Sequence, residues 1–201
     1  IDVYFADQEI DSLVAIGKAR DEYQSIAQKG KTAERNTAQG DTITVFFDKR
    51  KISRARVQGS ASGEYRLPVA VGDTTAAADE VVQYDAKTID YILGHNRIVL
   101  DPDAHLVYRD TELKAGRVEY DIDRQSLVAN GNPELVEHGD KVAGHLMTYD
   151  LESRVGNIYK AETEYEKGLY RGSRIRKVSE NELDVMNGQY STCHLAEPHY
   201  H

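Results

Sequence analysis

The chain has 201 residues, of which 40% are hydrophobic and 29% are charged, and its formal net charge at neutral pH is -9. The acidic balance argues against a nucleic-acid partner, because phosphate backbones are bound by clustered Lys and Arg. The nearest basic cluster is Arg171, Arg174, Arg176 and Lys177, which we interpret as a solvated strand face. No segment approaches the roughly 18 consecutive apolar residues that a membrane-spanning helix needs.

A loosely repeated unit runs along the chain. Each copy begins with an aromatic pair or an aromatic-Asp pair, passes a short polar turn and continues as an apolar alternation to a Gly. The copies begin near Tyr4, Phe47, Tyr84, Tyr120 and Tyr149, and they close at Gly17, Gly59, Gly94, Gly131 and Gly156. Repeated units share a core that no single unit could bury. The repeat therefore predicts an all-β fold of stacked antiparallel hairpins.

The second copy gives the clearest hairpin. Residues 43–47 are β-branched and aromatic, residues 48–51 are a charged turn, and residues 52–57 return as a strand. Gly59 and Gly63 predict a bulge or corner between them. Residues 68–80 predict a loop, and residues 20–29 have weak helical character with poor apolar spacing.

Side-chain parity predicts which face of each strand is buried. Apolar residues recur at every second position, while their neighbours, such as Thr44, Arg56 and Glu119, are polar. A period of two with one apolar face indicates a sheet with one buried face and one solvent-exposed face. The residues assigned to the inner face are Phe5, Val45, Phe47, Val57, Val82, Tyr84, Val118, Tyr120, Met147 and Tyr149.

Motifs of enzyme chemistry are absent from the sequence. It has no glycine-rich phosphate loop, no H-E-x-x-H and no G-x-S-x-G, so we expect neither an active site nor a cofactor. The group Cys193, His194, His199 and His201 has a spacing that matches no standard zinc pattern. We therefore expect no metal site.

Three aspartates recur directly after the repeat aromatics, namely Asp85, Asp121 and Asp150. Repeated acids could form a calcium ladder, but the residues that follow supply no regular oxygen ligands. An Asp that opens a turn by bonding its own backbone is the favoured interpretation. Cys193 is the one thiol, and three readings stay open: a small buried residue, a leftover, or half of a bridge to sequence outside this chain.

Three segments resemble a known family. The pattern from Phe47-Asp48 through Ile52 to Gly59, and again residues 116–132, resembles the OstA-like fold of lipopolysaccharide-transport proteins. The tail is more specific. Residues 185–193, VMNGQYSTC, followed by EPHYH at 197–201, resemble the Y-[ST]-T-C segment of the LptD family of outer-membrane assembly proteins. In that family the segment lies where the periplasmic domain meets the β-barrel.

The resemblance implies a fold, a ligand and a location. It implies a periplasmic β-jellyroll, or β-taco, over residues 1–185, and a junction over residues 186–201 that leads toward an outer-membrane barrel outside this chain. An open hydrophobic slot, lined by the ten inner-face residues, would bind the lipid A acyl chains of lipopolysaccharide and pass them to the barrel. The implied location is the periplasmic side of the outer membrane.

The resemblance also implies two kinds of protein contact. One is edge-strand stacking with another OstA-like jellyroll, which agrees with a strand pattern that is already under way at Ile1. The other is a disulfide between Cys193 and a cysteine of the full-length protein, in an oxidising compartment. We expect the present chain to be a trimmed or processed piece.

Two other classes of function stay open. A structural or adhesive β-solenoid would have the same alternation around a closed, dry core. A sugar-acting β-solenoid enzyme would need paired carboxylates on one exposed ladder, and the sequence shows no such cluster.

Overall fold

The computed structural model describes residues 1–24, 35–66, 81–137, 139–150, 153, 155–165, 168–179 and 182–192. These residues form seventeen antiparallel strands and a single 3-10 turn, Leu93–His95, with no α-helix among them. The predicted all-β fold of antiparallel hairpins is confirmed. In the described segments, no helix has the length and apolar character required to cross a membrane. The chain divides into two compact units, Ile1–Asp110 and Thr111–His201. The predicted boundary between residues 185 and 186 stays a prediction.

The first unit is an antiparallel meander. Its strands are β1 (Asp2–Ala6), β2 (Glu9–Gln24), β3 (Arg35–Asp48), β4 (Lys51–Arg66), β5 (Val81–Ile92), β6 (Arg97–Leu100) and β7 (Ala104–Tyr108). Strands β1 to β5 pair in chain order. The first half of β5 then pairs with β7 and its second half pairs with β6. Strands β6 and β7 thus run along β5 like one interrupted strand.

Two tight turns set the ends of the hairpins. The β1–β2 turn is Asp7-Gln8 and the β3–β4 turn is Lys49-Arg50, with φ of 49° and 65° in both turns. Two consecutive residues with positive φ are typical of type I′ turns, whose twist matches that of the strands. The charged turn predicted at residues 48–51 is confirmed. The weak helical prediction is wrong over residues 20–24, which belong to β2, and residues 25–29 lie outside the described part.

A line of register shifts crosses the first unit at the middle of its long strands. The shifts lie between Ile16 and Ala19 in β2, between Gln39 and Thr42 in β3, and between Gln58 and Ala61 in β4. On the far side of β5 the line continues through the turn at residues 101–103, where Asp101 N donates to Thr88 O at 3.0 Å and Lys87 N to Pro102 O at 3.0 Å. Bulges bend strands, so the aligned shifts form a corner. The bulge predicted between Gly59 and Gly63 is confirmed.

Glycines make this corner possible. Gly17 and Gly59 have φ of +90° and +77°, a region that residues with a Cβ rarely adopt. At Gly40 a Cβ would lie 2.6 Å from Val57 Cγ1 and 3.0 Å from the carbonyl oxygen of Gln58. Two of the three glycines, Gly17 and Gly59, close copies of the sequence repeat. The repeat therefore marks the bends of the sheet as well as its hairpins.

The corner divides the first unit into two walls. We call residues 9–16, 42–48, 51–58, 88–92 and 97–100 the first wall, and residues 19–24, 35–40, 61–66, 81–86 and 104–108 the second wall. Residues directly opposite each other on neighbouring strands share a face. On the first wall one such row is Ala15, Ile43, Val57, Ile89 and Leu100, and the next is Leu13, Val45, Ala55, Tyr91 and Ile98. Both rows are apolar.

The second unit has ten strands, most of them short. They are β8 (Thr111–Ala115), β9 (Arg117–Asp121), β10 (Ser126–Asn130), β11 (Glu134–Glu137), β12 (Asp140–Ala143), β13 (Leu146–Asp150), β14 (Val155–Tyr165), β15 (Gly168–Ser179), β16 (Glu182–Met186) and β17 (Gln189–Ser191). One ladder runs β9, β10, β13, β14, β15, β16, and a second runs β8, β11, β12, β14, β15, β17. The long strands β14 and β15 belong to both.

Turn chemistry in the second unit follows the repeated aspartates. Asp121 Oδ1 accepts a hydrogen bond from Arg124 N at 3.0 Å, and Asp150 Oδ1 accepts one from Ser153 N at 2.7 Å. The turn interpretation is confirmed at these two positions. It is wrong for Asp85, which lies inside β5 and whose Oδ1 is 2.9 Å from His105 Nδ1 on β7. Asp85 therefore occupies the same position in the sequence repeat as Asp121 and Asp150, but it lies within a strand instead of at a turn.

Candidate functional site

The two walls of the first unit face each other across an interior. Tyr84 and Tyr91 are seven residues apart on β5, which would separate them by about 23 Å in a straight strand. Their hydroxyl oxygens are nevertheless 2.7 Å apart. Tyr84 belongs to the second wall and Tyr91 to the first, so β5 folds back at the corner and the two rings meet between the walls. The interior is therefore enclosed by both halves of the same strands.

A buried chain of three polar side chains lies in this interior. The Tyr84 hydroxyl donates to Asn36 Oδ1 on the second wall. A phenol has one hydrogen, so Tyr84 accepts from the Tyr91 hydroxyl, which donates across the interior. All three residues are buried, with Tyr84 5% exposed and Tyr91 7% exposed. No described buried side-chain oxygen or nitrogen lacks a partner.

Burial keeps both phenols neutral. Desolvation raises the pKa of Tyr91 from 10.0 to about 12, against the opposing effect of its hydrogen bonds to Tyr84 and Asn36. Desolvation, and then the neighbouring Tyr91, raises the pKa of Tyr84 further above its ordinary value. The hydrogen-bonded chain therefore stays protonated through the physiological pH range.

Six of the predicted inner-face residues belong to the first unit. Val45 and Val57 lie in the apolar rows of the first wall, and Val57 is fully buried. Val82 opposes Tyr65, and Tyr84 opposes Gly63, on the second wall. The fold thus brings these four residues to the interior. The other two are at the turns.

Register shifts separate Phe5 and Phe47 from the regular rows. Each shift lies next to a hairpin turn, so that Phe5 opposes Ile10 and Phe47 opposes Ile52. Phe5 is 67% exposed, whereas Phe47 is half-buried. The extra residues are Asp11 in β2 and Ser53 in β4, so the shifts change the cross-strand partners of Phe5 and Phe47 and leave the alternation along β1 and β3 intact.

Four predicted residues belong to the second unit. Val118 and Met147 are buried in a row that continues through Ala129, Ile158 and Ile175. Tyr120 and Tyr149 lie in the adjacent row, each opposite Leu127, and Tyr149 is 39% exposed. Val118 and Tyr120 thus lie two residues apart on one face of β9, as the alternation predicts.

An open groove in the second unit contains none of the ten predicted residues. Its volume is about 430 Å³, and its described lining is Asn132, Lys141, Ala143, Gly144, His145, Lys160 and Leu169. Lys141 Nζ is 2.7 Å from Glu134 Oε2. This groove therefore belongs to no site that the sequence suggested.

The outer face of the first wall carries an ion-pair cluster that the sequence analysis missed. Asp90 accepts two hydrogen bonds from Arg54, at 2.8 and 2.6 Å, and two from Arg56, at 2.8 and 3.1 Å. The Arg54 guanidinium also lies 5.7 Å from the centre of the Phe46 ring. Phe46 and Phe47 are therefore differently surrounded, as alternation along a strand requires.

Strand β1 is an exposed edge of the first unit. Among the described strands of that unit it pairs with β2 alone, and all five of its residues are exposed. Val3, Tyr4 and Phe5 on this strand are apolar or aromatic. An exposed apolar edge is a template on which another strand can pair.

The metal and disulfide predictions concern the tail. In the described segments, no group of three or more His, Cys, Asp or Glu side chains is arranged to hold a metal ion. Cys193, His194, His199 and His201 lie outside the described residues. The expectations about a zinc site and about the Cys193 bridge therefore stay predictions.

Comparisons with known proteins give a similarity at the level of solved structures. No protein-family model matches the chain, and no curated protein matches it. A similar solved structure is LptH of Pseudomonas aeruginosa, described as the LptA-homologous periplasmic component of the conserved lipopolysaccharide transport device. The match has a TM-score of 0.40 and 18% sequence identity, and it covers 60% of this chain and 82% of LptH.

Proposed function

We propose that this chain is a periplasmic lipopolysaccharide-transport module of the OstA-like type, whose interior takes up acyl chains. The observation that carries the proposal is the two-walled interior of the first unit, with its adjacent apolar rows. The OstA-like sequence patterns supply the ligand class. Five of the ten predicted slot residues, Val45, Phe47, Val57, Val82 and Tyr84, belong to these walls.

Acyl-chain burial supplies a sufficient driving force. Each methylene removed from water contributes about 0.8 kcal/mol, so a chain of about twelve carbons contributes roughly 9–10 kcal/mol when fully buried. Val57 and Ile89 are fully buried. Uptake therefore requires the walls to move apart, and part of this free energy offsets that cost.

The finer assignment is to the LptD type of module, and it rests on the tail. The Y-S-T-C segment at residues 190–193 supports a junction that leads into an outer-membrane barrel. On this proposal Cys193 is oxidised to a cysteine outside the chain and holds the module against the barrel. Cys193→Ser in the full-length protein should impair assembly, whereas the isolated chain should fold normally. A free Cys193 thiol in the mature protein would contradict this assignment.

The proposed protein partner is a second OstA-like jellyroll that stacks on an edge strand. The exposed, apolar β1 supports this mode, because an open edge offers a row of backbone donors and acceptors. A photoreactive residue at Val3 should cross-link to a partner in native cell envelopes. Recovery of the uncross-linked protein alone would count against edge stacking.

The acyl-chain proposal is tested by paired cross-linking sites. A benzophenone side chain at Phe47 should cross-link lipopolysaccharide, and one at Phe46, beside Arg54, should not. Tyr120 and Glu119 form the matched pair in the second unit. Since neighbours on a strand point to opposite faces, equal labelling within a pair would sink the proposal.

The closed-core β-solenoid is the second candidate, and one observation favours it. The interior of the first unit is filled by its own side chains, including the hydrogen-bonded Tyr84 and Tyr91. A structural module needs such packing and no ligand. Absence of lipid cross-linking at Phe47 and at Tyr120, with the protein folded, would select this function.

A further inference from the structure

The hydrogen bond between Tyr84 and Tyr91 joins opposite walls of the first unit. We propose that this bond is a latch, which holds the walls closed and must break before the interior admits an apolar ligand. The proposal concerns how the interior opens. It rests on the proposed function only for the identity of the ligand.

The bond can hold the walls closed because it connects them away from the corner at which they join. The walls are continuous through the corner, where backbone hydrogen bonds hold β5 against the 101–103 turn. The two tyrosines instead meet through their hydroxyl groups, and the Tyr84 hydroxyl lies over Gly63 on the second wall. Walls that separate about the corner can keep their ladders, but they must break the contact between Tyr84 and Tyr91. The latch therefore resists opening without contributing to the strand pairing itself.

The chemistry of the bond makes it selective. An alkyl chain between the walls offers neither a donor nor an acceptor, so it would leave the Tyr91 hydroxyl without a partner. An unsatisfied buried hydroxyl costs far more than a hydroxyl that is bonded to water or protein. The latch thus favours the closed state until opening lets water, or an oxygen of the ligand, reach the Tyr91 hydroxyl.

One substitution removes the latch alone. Tyr84 donates to Asn36 and accepts from Tyr91, which also interacts with Asn36. Tyr91→Phe therefore deletes the contacts of the Tyr91 hydroxyl across the interior and leaves the Tyr84–Asn36 bond within the second wall. Phe keeps the ring and adds no atoms. The matched control is Tyr23→Phe, which removes a phenol from the same wall as Asn36 but at an exposed position.

The test is native-state amide hydrogen exchange of the whole chain, with uptake of N-phenylnaphthylamine as an apolar probe. In Tyr91→Phe, exchange at the corner around Val57 and Ile89 should accelerate about fivefold, as expected for one net hydrogen bond. Probe uptake should rise in parallel. Exchange around Ile158 and Ile175 in the second unit should stay unchanged, and Tyr23→Phe should match the wild type throughout.

Several outcomes would overturn the latch. They are unchanged exchange in Tyr91→Phe, equal acceleration in both units, or failure of the variant to fold, which would make the hydroxyl a general structural requirement. A parallel titration with purified lipopolysaccharide separates the two proposals. Faster exchange without lipopolysaccharide binding supports the latch and contradicts the proposed ligand. Lipopolysaccharide binding with unchanged exchange supports the ligand and contradicts the latch.

Discussion

Tyr84 lies directly over Gly63, its cross-strand neighbour on the second wall. A Cβ at Gly63 would be 2.5 Å from Tyr84 Oη and 2.6 Å from the carbonyl oxygen of Thr37. Because the backbone cannot yield easily and Tyr84 is held by hydrogen bonds, Gly63→Ala should destabilise the protein by about 1–3 kcal/mol. Urea denaturation measures this change. Gly94→Ala, where no atom lies within 4 Å of the new Cβ, should leave the unfolding midpoint nearly unchanged.

Asp90 pairs with two arginines at once. Its side chain is 14% exposed, and Arg54 and Arg56 are about one-third exposed. Asp90→Ala leaves two guanidinium groups side by side, and solvent screens part of their repulsion. We expect a loss of about 1–2 kcal/mol in the free energy of unfolding. The exposed pair of Glu22 and Arg35 provides the control, since Glu22→Ala should change stability by less than about 0.5 kcal/mol. An equal loss in both variants would contradict the importance of the Asp90 cluster.

Ile175 is fully buried in the long apolar row of the second unit, between Ile158 and Val185 on the flanking strands. Ile175→Ala removes buried methyl and methylene groups and leaves a cavity, which typically costs about 2–5 kcal/mol. Thermal unfolding followed by circular dichroism should show the loss. Ile16→Ala, at a residue 70% exposed, should be nearly neutral. A neutral Ile175→Ala would show that this row is not a core.

Alkaline pH should weaken the first unit. The folded state raises the pKa of Tyr91 to about 12, and that of Tyr84 higher still, whereas the unfolded chain titrates near 10. Stabilisation by the neutral phenols is full below pH 10 and is lost as the pH rises toward their folded pKa values. Each phenol should lower the free energy of unfolding by about 1.4 kcal/mol per pH unit in that window. Denaturation at successive pH values measures the slope, and Tyr91→Phe should reduce it.

Alternation along the sequence was sufficient to predict the hairpin of β3 and β4 and its apolar face. Val45 and Val57 lie where parity placed them, and the turn after Phe47 lies at Asp48–Lys51 as predicted. Both predictions depend on contacts between near neighbours in the sequence. Such contacts follow from a period of two and from local turn residues.

The meeting of Tyr84 and Tyr91 could not be predicted in the same way. Parity treats β5 as straight, and on a straight strand residues 84 and 91 would point to opposite faces. The β4–β5 register shift next to Gly59 allows both tyrosines to face the interior. That register shift exists only when β4 and β5 are paired, so the sequence of β5 alone does not reveal it. The turn predicted at Asp85 is wrong for a different reason. The strand continues through Asp85, so this copy of the repeat contains no turn at that position.

The corner also separates the first unit into two independently adjustable lengths. A residue added near the Lys49-Arg50 turn would alter the strand ends of the first wall, but a bulge can absorb the mismatch before it reaches the second wall. A residue lost from the second-wall part of β3, before Gly40, would likewise leave the strands near the Lys49-Arg50 turn in register. Insertions or deletions in one wall can therefore be tolerated, in evolution or in design, without disrupting strand pairing in the other wall.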